Sequence, residues 1–455
     1  MSELKNTLRR IFITTCLLTR TTEWAANRLG AGFFLPALFV LRYSAMGGLE
    51  PRLFAEQLNA VRSFEDDAWC GHWDAMAREE LAGIGKMLPG LASVMTEEGL
   101  AMPARLEQNA AWAEFQAMLA PLGPRIAELM TMDAQAEAKQ ERTSKHATSV
   151  PDSQRAIAAL RCMVRAITYY QVSAFPGGSV ARMNAYHRSR SLFHVLTKIV
   201  GPILGLAIEH RRIEVNGQVA EGYLVTPPGS QPCPLAIITN GLEGTVQELA
   251  IPLLKYHDSG MAVFVMEMPG TYAYTQPMSA ASEAIYHGVI DHLARHPRVD
   301  PGRIGFVGVS FGGYWAARLA ATSPRLRCVV ACGAPTHRSF QIQNTIGVPE
   351  IIVRALRNTT GATSLHDLMK KLRALSLREF YRRIKAPLLV INGDQDTLLS
   401  TRDSIDLADR AQQGELKLYP NDDHCAMAHY REWLDLSQTW LQKHFLHEAG
   451  ENSVS

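Results

Sequence analysis

The chain has 455 residues, too many for one compact core, so two or three domains are expected. Apolar content of 47% with 20% charged residues fits a folded globular protein and excludes a disordered or fibrous one. A net charge of +2 with no long basic run argues against nucleic acid or an anionic membrane surface as partner.

The N-terminal residues contain two apolar runs, 11–18 and 29–41. Both are shorter than the roughly 20 residues a spanning helix needs. They read as amphipathic or buried helices, with no stable membrane insertion. Helical spacing continues after Pro51 through Leu53, Phe54, Gln57, Leu58 and Val61, and Pro suits a helix start. Trp69, Trp73, Met76, Ala77 and Leu81 form another helical stripe, and residues 106–119 resume the pattern. Residues 133–152 are polar and read as a solvated helix end or a linker. Residues 156–175 form a strong helix broken by Pro176-Gly177-Gly178, and another helix follows over 181–200.

The period changes near residue 205. Residues 212–215, Asn216-Gly217 and residues 222–225 carry a β-hairpin signature. Strands are then expected at 235–239, 262–266, 304–307, 328–332, 387–392 and 416–419, with helices at 282–295 and 433–445. This alternation predicts an α/β fold with a mostly parallel sheet and helices on both faces. The domain reading is a helical N-terminal domain over 1–204 and an α/β domain over 205–455. The Arg-rich stretch 337–383 interrupts the alternation as a small cap insertion.

Seven scattered cysteines, an odd number with no CxxC pair, indicate free thiols in a reducing, cytoplasmic setting. No metal-ligand spacing is present, and no cofactor is expected.

Ser310 lies in Gly308-Val309-Ser310-Phe311-Gly312-Gly313, between a strand and a small-residue helix. That is the nucleophile-elbow pattern. A serine hydroxyl needs a base, and the base needs an acid to fix its tautomer. Chain order then supplies Gly393-Asp394-Gln395-Asp396 and Asp422-Asp423-His424, each just past an expected strand. His424 is the candidate base. Asp394 and Asp396 share one loop. Asp396, deeper in it, is favoured as the acid, while Asp394 is expected to bond local backbone. Asp422 and Asp423 read as turn formers. An oxyanion needs two N–H donors. Phe311 supplies one, and Leu242, in the Gly-containing loop after residue 239, supplies the other. Glu243 either faces substrate or caps the next helix, the cap being favoured.

Val299-Asp300-Pro301-Gly302-Arg303-Ile304 ahead of the Ser310 motif resembles the α/β-hydrolase superfamily. Trp69-Cys70-Gly71-His72-Trp73-Asp74-Ala75-Met76-Ala77, Arg165-Ala166-Ile167-Thr168-Tyr169-Tyr170-Gln171 and Ala185-Tyr186-His187 are similar to the helical lid of the FrsA-like esterases, the group that includes 2,6-dihydropseudooxynicotine hydrolase. This resemblance implies an α/β-hydrolase fold with an N-terminal helical lid, a small-molecule substrate and a homodimer. It implies that Ser310 attacks a carbonyl while Asp396 orients His424. The scissile bond is then a carbon–carbon bond beside a ketone, or an ester or thioester, in an aromatic or polyketide-like molecule. Tyr169, Tyr170, Phe175 and Phe193 either line an aromatic pocket or form lid core. Two alternatives keep the fold: acyl transfer by the same triad in a biosynthetic pathway, or a non-catalytic binding protein.

Overall fold

The computed structural model describes residues 2–36, 38–131, 151–341 and 346–446. Most of the polar stretch 133–152 lies outside the described residues. The chain divides into two compact units: residues 16–208 with 247–259, and residues 1–15 with 209–246 and 260–455. The first is helical and the second holds the sheet. The sequence places the junction at 204/205. Residues 1–15 group with the sheet, and the chain returns to that unit at residue 209, inside a strand that begins at Ala207.

The helical unit is built on α1 (Asp66–Met87), α2 (Asp152–Ala174) and α3 (Val180–Ile203). Trp69, Trp73, Ala77, Leu81 and Ile84 recur every three to four residues and form the buried stripe of α1. Trp69 Nε1 donates to the Val172 carbonyl at 2.9 Å, and Arg165 on α2 grips Glu80 at 2.7 and 3.0 Å. Ser179 caps α3 by accepting from the Arg182 N–H. The buried Arg182 guanidinium donates to Asp66 at 2.8 Å, to the Phe64 carbonyl at 2.6 Å and to the Phe175 carbonyl. It thereby satisfies backbone at the Pro-Gly-Gly break between α2 and α3. The segment 247–259 belongs here through Gln247, which donates to Ser189 at 2.8 Å, and through Glu248, ion-paired with Arg42.

The second unit carries one eight-stranded sheet in the order β1-β2-β4-β3-β5-β6-β7-β8. Its strands are β1 (Ala207–Val215), β2 (Gln218–Thr226), β3 (Cys233–Thr239), β4 (Ala262–Met266), β5 (Val299–Val309), β6 (Leu326–Cys332), β7 (Leu388–Gly393) and β8 (Gly414–Tyr419). Asn216 and Gly217 both have positive φ, 51° and 75°, the backbone that a two-residue hairpin turn requires between β1 and β2. β2 pairs antiparallel with β4, and the pairs from β4 through β8 are parallel. Central strands are buried on both faces, as their continuous apolar runs dictate. Helices cover both faces. Phe306 meets Tyr286 of α5 (Glu283–Leu293), while a side chain at neighbouring Gly305 would strike Phe445 and Leu441 of the terminal helix Tyr430–Leu446.

The residues 337–383 insert two helices, Glu350–Thr360 and Leu365–Ala374, between β6 and β7. Their entry is fixed by Asp403, whose buried carboxylate accepts from the N–H groups of Thr336, His337, Arg338 and Ser339 at 2.7–3.1 Å. All seven cysteines are buried and free. Among the described residues no helix is long and apolar enough to cross a membrane.

Candidate active site

The site grows from the carboxyl ends of β5, β7 and β8. β5 ends at Val309, and α6 (Phe311–Thr322) starts two residues later. Ser310 bridges them at φ 57°, ψ −122°, a strained conformation for a residue with a Cβ. Its N–H is held by the Cys332 carbonyl at 2.7 Å. The flanking glycines are required by close approach. A Cβ on Gly308 would lie 2.0 Å from the Gly312 carbonyl oxygen, and one on Gly312 would lie 2.5 Å from that of Thr239. The turn is therefore sharp enough to leave the serine hydroxyl projecting at the sheet edge.

His424 follows β8 in the short helical turn His424–His429. Its Nε2 lies 2.8 Å from Ser310 Oγ, and its Nδ1 lies 2.8 Å from Asp396 Oδ2. Asp396, in the loop after β7, is fully buried. Its Oδ1 accepts from the N–H groups of Leu398 and Leu399 at 2.9 and 2.8 Å. Burial alone would raise the Asp396 pKa. The facing His424 and the hydrogen bonds from Asn392 and Leu399 outweigh it and hold the carboxyl below its ordinary value. Burial works against the imidazolium of His424, but the facing Asp396 carboxylate favours it, and the net direction is well upward.

The other sequence-derived residues fall as follows. Phe311 is the first residue of α6, so its N–H has no helical carbonyl one turn earlier. Gly241 packs against it: a Cβ there would lie 2.7 Å from the Phe311 nitrogen and 2.9 Å from Ser310 Oγ. Leu242, half-buried, is next in that turn. Glu243 is buried with φ 56°. The next helix, α4 (Val246–Leu253), starts three residues beyond it. Asp394 does not bond local backbone: its Oδ1 accepts from the Asn421 N–H at 2.8 Å, tying the β7 loop to the β8 loop. Asp422 and Asp423 also do more than form a turn. Asp422 pairs with His429 at 2.8 Å, and Asp423 binds Thr397.

Tyr169, Tyr170, Phe175 and Phe193 are all buried in the helical unit. Tyr169 stacks with Trp73 and donates to Gln57 at 3.1 Å. Phe175 meets Phe39 edge-on at 5.2 Å. The Tyr170 ring lies 5.7 Å from the Arg188 guanidinium.

Comparison with known sequences decides the family. The family described as Esterase FrsA-like matches residues 140–446. The chain belongs to the FrsA-like esterase family. This FrsA-like chain is a hydrolase of the α/β-hydrolase superfamily. It is 25% identical over 290 residues to Esterase FrsA of Vibrio cholerae, covering 62% of this chain and 69% of that one. It is 25% identical over 229 residues to 2,6-dihydropseudooxynicotine hydrolase of Paenarthrobacter nicotinovorans, covering 49% of this chain and 61% of that one. The crystal structure of 2,6-dihydroxy-pseudo-oxynicotine hydrolase superposes with a TM-score of 0.61 at 18% identity, over 89% of this chain and 95% of that one, which shows a shared fold.

The candidate site also contains groups that the sequence reading left out of its catalytic set. Asn392, Thr397 and Asp423 contact Asp396, His424 or both loops. Asn392 had a readable signal: it is a polar residue closing an apolar run that a central strand must bury. Thr397 had none. Among the described residues no group of three or more His, Cys, Asp or Glu is placed to hold a metal ion.

Proposed function

We propose that the protein cleaves an acyl bond in a small molecule through a Ser310–His424–Asp396 triad. The bond is an ester or thioester, or a carbon–carbon bond beside a ketone in an aromatic or polyketide-like substrate. The observation that carries this reading is the unbroken relay of two 2.8 Å contacts from Ser310 Oγ through the imidazole to Asp396.

In this reading His424 Nε2 takes the Ser310 proton as the oxygen attacks the substrate carbonyl carbon. Asp396 holds Nδ1–H and stabilises the imidazolium that forms. Negative charge builds on the carbonyl oxygen, where the N–H groups of Phe311 and Leu242 receive it. When the tetrahedral species collapses, the leaving group departs with the proton from Nε2. Water, deprotonated by His424, then attacks the acyl-Ser310 ester and restores the hydroxyl. A carbon leaving group departs as a carbanion, so that version requires an enolate- or phenol-stabilised fragment such as a β-diketone provides. Similarity to both an esterase and a pseudooxynicotine hydrolase supports keeping oxygen and carbon leaving groups in one mechanism.

The test is labelling by a fluorophosphonate probe, followed by turnover of p-nitrophenyl acetate and of an aryl β-diketone. Wild-type protein is expected to be labelled at Ser310. Ser310→Ala should lose labelling and at least 10³-fold of turnover while folding normally. Undiminished turnover in that variant would overturn the proposal.

A further inference from the structure

We infer that Asn392 is a positioning residue that joins the Asp396 loop to the His424 loop and sets the basicity of the imidazole. This inference rests on the reading of His424 as the general base.

Asn392 is the last residue but one of β7 and is 1% exposed. One amide hydrogen goes to Asp396 Oδ2 at 3.0 Å, the same oxygen that faces His424 Nδ1. Nδ2 also contacts Ser404 Oγ at 3.3 Å. The amide oxygen accepts the N–H of Cys425, the residue after His424, at 2.9 Å. The amide has only one workable orientation. Flipped, it would turn its oxygen on the carboxylate and its NH₂ on an N–H donor.

Two consequences follow. Cys425 and Ala426 both sit at positive φ, 60° and 48°, backbone that an L side chain adopts only under strain. The Asn392 oxygen anchors the first of these and so fixes the backbone that aims His424 at Ser310. Its NH₂ shares the charge of Asp396 Oδ2 with Nδ1–H. With that donor removed, the carboxylate holds the imidazolium more strongly.

The titratable groups around the ring are few. Asp396 faces it from the loop after β7, and Cys425 from its own loop, the Cys425 thiol being pushed up by burial. Cys332, at the end of β6, contacts the Cys425 carbonyl. Asp422 and Asp423 bind His429, Thr397 and backbone N–H groups.

The test measures fluorophosphonate labelling and p-nitrophenyl acetate hydrolysis against pH in wild type, Asn392→Ala and Asn392→Asp, with thermal melts. Asn392→Asp keeps the size and the acceptor for Cys425 while adding a like charge beside Asp396. Both variants are expected to react about tenfold or more slowly at neutral pH. The acid-limb midpoint should rise by about half a pH unit or more, most in Asn392→Asp. A slower reaction with an unmoved midpoint would overturn the inference, because a purely structural role changes amplitude alone. Loss of the folded protein in both variants would make Asn392 a stability residue and overturn it equally. Failure of wild-type Ser310 to label would instead bring down the triad reading itself, a result separable from either of these.

Discussion

Thr397 donates to Asp423 twice, from its N–H at 2.6 Å and from its hydroxyl at 2.9 Å, across 26 residues of chain. The same Asp423 oxygen takes the N–H of His424 at 2.7 Å. The residue next to the acid is thus bound to the residue next to the base. Asp423→Ala removes all three bonds, and about 10–100-fold of kcat/KM should go with them, alongside roughly 1–3 kcal/mol of stability in urea denaturation. Thr397→Val keeps the backbone donor and should lose far less. Equal losses in the two variants would show that the backbone donor contributes nothing.

Asp396→Asn should be far more damaging than Asp394→Asn, because only Asp396 meets the imidazole. An asparagine at 396 presents no negative charge to Nδ1, so both orientation and imidazolium stabilisation fall, by about 10³–10⁴-fold in kcat. The pH dependence carries a sign. His424 works as a base only when neutral, and its pKa is raised well above 6.5. Activity should therefore fall as pH drops through a midpoint above 6.5. In Asp396→Asn the favourable charge is gone, and the residual acid limb should move to lower pH. A limb that stays in place, in a pH profile of kcat/KM, would detach it from His424.

The positions of the strands along the chain, the hairpin and the Ser310 turn were legible because each rests on a local rule. Asn-Gly demands positive φ, central parallel strands demand unbroken apolar runs, and the elbow demands glycines where backbone crowds. Loop depth pointed to Asp396 rather than Asp394, and Asp396 is the one that lies 2.8 Å from the imidazole. Non-local pairing was not. Asp394 meets Asn421 and Asp423 meets Thr397 only because β7 and β8 are sheet neighbours and their exit loops emerge side by side. Nothing in the local spacing of either loop encodes that register. Helix content of the first 204 residues followed from periodicity, yet the inclusion of 247–259 in that unit depends on the Gln247 and Glu248 side chains finding Ser189 and Arg42.

Gly241→Ala probes the oxyanion side of the site. The added methyl would sit 2.6 Å from Ser310 Cβ and 2.7 Å from the Phe311 nitrogen, whose N–H meets the substrate oxygen in the proposed mechanism. Displacing that donor should lower kcat by about 10²–10³-fold. Fluorophosphonate labelling should slow in parallel, because the phosphonyl oxygen uses the same donors. Normal labelling kinetics in a folded Gly241→Ala protein would move the oxyanion site elsewhere.

Glu283 links α5 to the elbow helix α6. Its carboxylate accepts from Arg318 Nε at 2.8 Å and from the Thr322 hydroxyl, and it faces His287. Burial would raise its pKa, but the bonds from His287, Thr322 and Arg318 prevail and hold it at about 2, against an ordinary 4.5. Because the folded value is the lower one, ionised Glu283 favours the folded state. That contribution is complete above pH 4.5 and drains away as pH falls through about 2. Glu283→Gln should cost roughly 2 kcal/mol near neutral pH, since it leaves the Arg318 charge without its partner. Denaturation curves of variant and wild type should then converge as the solution is acidified toward pH 2, where the native carboxyl is itself protonated. A difference independent of pH over that range would show that Glu283 stabilises the elbow helix by packing alone, with its charge irrelevant.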